Sequence, residues 1–158
     1  MKRPTTRVRV IGSALTIALM IVSAACNDKT IANIAKAELA VSTACSTAFQ
    51  VVSQANAQNP PLISTADSTA IIGTLLKIEQ ANQQAETATQ QISQLNAANQ
   101  ASLLQIVQPL QTAITNAINQ NTLGIADSKT KTAVLAALTA VNTAITTVVT
   151  IIQAVKTA

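Results

Sequence analysis

Between Thr30 and Ala57 the series Ile31, Ile34, Glu38, Val41, Cys45, Ala48, Val52 and Ala55 steps by three and four residues, with Glu38 its one ionisable member. That period keeps one face of a helix apolar, so the segment is expected to form one continuous helix, with Phe49 beside the stripe as its largest core filler. Asn59-Pro60-Pro61 stops it, because a residue before proline is pushed out of the helical region. A second helix is expected after Ser64, which can cap it with Asp67 three residues on. Ile71, Leu75, Ile78, Ala85 and Ile92 give its apolar side, but ten of the 21 residues from Gln80 to Gln100 are Asn or Gln, and the pattern fades there. The break is expected between Asn96 and Asn99. A third stripe, Leu103, Val107, Leu110, Ile114 and Ala117, carries Pro109 inside it as a kink, and Leu123-Gly124-Ile125 reads as a Schellman ending. The fourth is unbroken: after a cap at Asp127 or Ser128, Val134, Leu138, Val141, Ile145, Val148, Ile152 and Val155 repeat, and Thr139, Asn142, Thr143, Thr146, Thr150 and Gln153 take the other side.

Four long helices with three short connections predict an all-α fold, an antiparallel bundle formed by residues 26–158 as a single domain. Only two Gly and three Pro follow Cys26, which fits few and long elements. The Ala-rich stripes allow the axes to approach closely but bury little area per residue, since Ala and Leu differ by roughly three methylene equivalents at about 0.8 kcal/mol each. Ala-Asp-Ser recurs at 66–68 and 126–128, expected in each case just before a helix and read as a trace of a duplicated hairpin.

Charge divides the chain at Cys26. Lys2, Arg3, Arg7 and Arg9 precede an uncharged run from Val10 to Cys26, the order of a secretory signal over residues 1–25: basic start, apolar centre, small residues Ser23-Ala24-Ala25. Beyond it six lysines face six carboxylates, so the net charge of +4 and the pI of 9.4 belong to the signal. Without a basic patch or a stacking aromatic, nucleic acid is not expected as a partner. Ser23-Ala24-Ala25-Cys26 resembles the lipobox of bacterial lipoproteins, with Ser23 where the family usually has Leu. The resemblance implies that Cys26 is diacylated on sulfur and becomes the mature N-terminus, anchoring the chain in a membrane. By the same analogy Asn27, in place of Asp, implies sorting to the outer membrane. Cleavage after Ala25 without lipid, giving a periplasmic or secreted protein, and an uncleaved anchor remain the alternatives.

The chain has no His, Trp or Tyr and one Phe, which removes the imidazole base, the His metal ligand and the nucleophile–His pair. Neither catalytic residues nor a cofactor or metal site is expected. Cys45 sits on the core stripe as a small buried residue. An intramolecular Cys26–Cys45 disulfide is not expected: Cys45 lies roughly 22 Å from a helix start at Thr30, the four residues back to Cys26 reach only about 14 Å, and a bridge needs Cα atoms within about 7 Å. Glu38 is expected at a bundle edge or beside a Lys, with a buried acid of raised pKa as the alternative. Glu79 and Glu86, seven residues apart, lack partners for metal or acid–base work. The expected function is a small, non-catalytic, lipid-anchored envelope protein whose helical bundle is structural or binds a partner, either another protein or a second copy of itself. Two alternatives stand beside it. The 23 uncharged residues from Ala133 to Val155 are long enough to span a bilayer, and with a lipid-anchored N-terminus would resemble the single-chain spanins of phage lysis. A carrier of apolar ligands would instead hold a sizeable cavity between its helices.

Overall fold

The computed structural model describes residues 7–121 and 124–155, with side chains for 28–120 and 124–155. Among these residues there are four helices and no strand: α1 (Arg7–Asn56), α2 (Thr65–Gln91), α3 (Ala97–Asn121) and α4 (Ser128–Gln153). Each packs only on its neighbours in a closed square, α1 on α2 and α4, and α3 on α2 and α4. Hydrogen bonds fix the directions. Glu38 meets Thr89 while Ser42 meets Glu79, and Gln100 meets Ile152 while Gln111 meets Thr146, so position rises on one helix as it falls on the next. The fold is the expected all-α antiparallel bundle.

The buried positions follow a seven-residue repeat in every helix. In α1 they include Ile34, Glu38, Val41, Cys45, Ala48, Val52 and Ala55; in α2, Ser68, Ile71, Leu75, Ile78, Asn82, Ala85 and Thr89. Leu103, Val107, Leu110, Ile114 and Ala117 of α3 and Val134, Leu138, Val141, Ile145, Val148 and Ile152 of α4 complete the core. A 3.5-residue period under-winds the helices and sets a left-handed supercoil. Each connection also sends one apolar side chain inward: Ile63, Leu95 and Ile125 are buried and close the ends of the bundle.

The boundaries show which local signals prevailed. The first helix does not begin at Thr30 but runs through Cys26, Asn27, Asp28 and Lys29 from Arg7, because no Gly or Pro interrupts the chain between Ser13 and Asn59. Ser64 does cap α2: its Oγ accepts from the Asp67 N–H at 3.0 Å and donates to Asp67 Oδ2 at 2.7 Å. The Asn/Gln-rich run stays helical to Gln91, and the break falls at Ile92–Asn96, a few residues earlier than expected. Asn96 caps α3 through Oδ1, which accepts the Asn99 N–H at 3.0 Å. Asp127 caps α4, accepting the Thr130 N–H at 2.7 Å, and the Thr130 side chain first, with this backbone bond second, holds its carboxyl below the usual range. The two Ala-Asp-Ser copies are not equivalent, since residues 66–68 lie inside the first turn of α2 whereas Asp127 precedes α4. α3 continues through Pro109, which is exposed.

Candidate functional site

Most of the core is apolar, and its polar exceptions cluster on one seam. Glu38, Asn82 and Thr89 are buried together with Ser42, Glu79 and Glu86 at their margin, all on the facing sides of α1 and α2. The Thr89 hydroxyl donates to Glu38 Oε1 at 2.7 Å. Asn82 Nδ2 reaches the Glu38 backbone carbonyl, Ser42 Oγ and Glu86 Oε1, each at 3.0 Å. Ser42 Oγ lies 3.0 Å from Glu79 Oε1 and 3.4 Å from Glu86 Oε1, so its single proton serves one carboxylate at a time, and the shorter contact is the better bond. Glu38 Oε2 and Glu79 Oε2 are buried with no hydrogen-bond partner.

The electrostatics follow from that arrangement. Burial pushes the Glu38 carboxyl from 4.5 up to about 7; the Thr89 bond opposes the shift and the negative Glu86 adds to it. Cys45 lies next along the seam, buried and unpaired, and burial with Glu79 close by pushes its thiol up to about 12. A thiol so protonated is a core side chain and a poor nucleophile. No group of three or more His, Cys, Asp or Glu among the described residues is arranged to hold a metal ion.

Several expectations change here. Glu38 sits neither at an edge nor beside a lysine: its exposure is 0%, and its partners come from α2. Glu79 and Glu86, expected to make a poor metal or acid–base pair, are drawn into the same network by Ser42 and Asn82. Phe49 is 40% exposed and not a core filler; with Leu76 it lines a groove whose other walls are Ser42, Cys45, Ser46, Leu75 and Glu79. Ala48 and Val52 hold the inward positions of the stripe, and Phe49, one residue off it, is carried to the rim. A missed signal was available in α2. Ser68, Asn82 and Thr89 continue the heptad of Ile71, Leu75, Ile78 and Ala85 in phase, so polar residues on a seam position could have been read as a buried network.

A second groove lies between α1 and α4, lined by Ala40, Ala44, Leu135, Ala136 and the outward threonines Thr139, Thr143 and Thr147. Both of these grooves lie open on the surface between neighbouring helices. Cys26 and the lipobox-like residues, together with Leu123 of the expected Schellman ending, lie outside the residues whose side chains are described. No glycine among the described residues has a positive φ, so Gly124 does not take the left-handed position a Schellman ending asks for; a Cβ there would stand 2.8 Å from Asp67 Oδ2.

Fold and seam together define an up-and-down four-helix bundle with a buried carboxyl network and, among the described residues, no cluster that could hold a metal ion. The chain matches no protein-family model, no curated protein and no solved structure.

Proposed function

We propose that the protein is a lipid-anchored component of a bacterial envelope, held at the outer membrane through Cys26, whose bundle acts by spacing or by binding a protein partner. The supporting observation is the continuity of α1. The helix that carries Cys26 is itself a bundle helix, with its first buried residue, Ile34, only eight residues on. At 1.5 Å per residue that is about 12 Å, so a lipid on Cys26 would set the bundle directly against the bilayer without a flexible tether. The shortage of catalytic side chains agrees with a binding or spacing role. Labelling cells with an alkyne fatty acid and determining the mature N-terminal peptide by mass spectrometry tests the reading. A diacylated Cys26, lost in Cys26→Ser, is the expected result; an unmodified N-terminus would remove the anchor.

One observation favours a second reading. α4 is long and apolar enough to cross a membrane, so a membrane-connecting protein of the spanin type stands as the alternative. Its regular burial supports the bundle: eight residues from Val134 to Ile152 are buried against neighbouring helices, and Thr139, Thr143, Thr146, Thr147 and Thr150 face outward.

A further inference from the structure

The one fully buried ionisable side chain among the described residues has no cation to meet it. Glu38 lies on the core stripe of α1, which packs on α2 and α4. From α2 the ionisable groups on its side are Glu86 and, through Ser42, Glu79; Lys77 is exposed on another face of that helix. From α4 the charges are Lys129 and Lys131, in the first turn at the far end of the bundle, and no charged residue stands between Ala133 and Ala154. α3, across the core, has no charged residue at all, and Lys36 on α1 itself is exposed. One carboxyl oxygen of Glu38 takes the Thr89 hydroxyl and the other takes nothing. A neutral carboxyl suits this position, since its burial then costs no ionic desolvation. An ionised one would place an unpaired anion in an apolar core facing two further acids.

The geometry points to a proton-operated latch: protonated Glu38 holds α1 against α2 through its carboxyl bond to Thr89, in the seam that Asn82 also ties through the Glu38 backbone carbonyl, and its ionisation loosens that seam. The direction follows from linkage. The folded state binds the Glu38 proton more tightly than the unfolded chain, so its stabilising effect is complete below the unfolded value of 4.5. It is lost as pH rises to the folded value of about 7. The gap corresponds to an opening constant that grows on the order of 100-fold across that range. The latch does not depend on lipidation of Cys26, so it stands or falls separately from the anchor.

Hydrogen exchange of the full chain in detergent micelles, read at the α1 and α2 amides around Glu38 and Thr89 and corrected for intrinsic exchange, tests it. In the wild type the opening constant is expected to rise on the order of 100-fold between pH 4.5 and 7. In Glu38→Gln, a neutral isostere, the rise should vanish; in Glu86→Gln it should persist with its midpoint moved to lower pH, because removing a like charge eases the ionisation of Glu38, and a midpoint that moves up overturns the proposal. An unchanged rise in Glu38→Gln overturns the proposal, as does a wild type without one. Should Glu38→Gln fail to fold, the carboxyl carbon of Glu38 titrated by NMR in the wild type decides: a midpoint above about 6 supports the latch, and an ordinary carboxylate midpoint overturns it.

Discussion

The two readings of α4 make opposite demands on the same residues, and one set of substitutions separates them. Thr139, Thr143 and Thr147 are exposed on the bundle surface, while Ile145 is fully buried. Changing all three threonines to Lys puts three charges on the solvent side of a bundle helix, where each costs within about 0.5 kcal/mol. In a bilayer span each Lys near the centre costs about 2.5–3.5 kcal/mol, and three together come to roughly 9 kcal/mol, enough to prevent insertion. Ile145→Ala has the opposite balance. In the bundle it removes a fully buried side chain and leaves a cavity, costing about 2–5 kcal/mol, or a fall in melting temperature of roughly 10 °C or more. In a span, Ala in place of Ile shortens no apolar stretch and charges nothing. Thermal unfolding followed by circular dichroism at 222 nm, together with alkaline extraction of membranes from cells expressing a Cys26→Ser chain, reads both arms. The bundle predicts a folded, extractable triple-Lys variant and a strongly destabilised Ile145→Ala. A triple-Lys chain that loses membrane association present in its Cys26→Ser parent, with Ile145→Ala unaffected, would refute the reasoning.

Other consequences are more local. Gly73 stands inside α2 with nothing within 4 Å of the position a Cβ would take, so Gly73→Ala should raise stability by about 1 kcal/mol in urea titration. Pro109→Ala restores a backbone donor inside α3 at an exposed position and should stabilise by about 1–3 kcal/mol, read in the same assay. Asn82→Ala strips three acceptors of their shared donor and should cost about 1–3 kcal/mol, more than Asn82→Asp recovers, because a fourth acid would join the seam. Asp127→Ala should lower the melting temperature and Asp127→Asn should largely restore it. Because the folded carboxyl titrates below its ordinary 3.8, the cap's contribution is complete above that value and is lost as pH falls through the folded one, which a melting series in acid would show.

The helices were legible because their information is local and repeated. Val134 to Ile152 announces α4 without a miss, and Ser64 and Asp127 each carry their cap within three residues. What escaped depended on a partner helix. Asn82 and Thr89 look like surface residues in a polar run, and only the antiparallel register with α1 turns them into the hydrogen-bond partners of Glu38. Phe49 differs for a related reason: its size argued for the core, but its place one residue off the buried stripe of Ala48 and Val52 sets it at the rim. Ile63 and Leu95 could not be counted as core from periodicity, since they stand in connections where no period runs.

The even number of passes brings the α2–α3 connection, the end of α4 and the start of α1's buried stripe to one end of the bundle, where Gln100 Nε2 fastens the Ile152 carbonyl at 2.7 Å. The connections at 57–64 and 122–127 meet at the other, about 39 Å away for helices of some 26 residues. For anyone labelling the protein this makes the two ends unequal addresses. A reporter attached close behind Val155 would crowd the end that holds Gln100 and the start of α1's buried stripe, whereas one inserted beside Pro60 would ride at the opposite end.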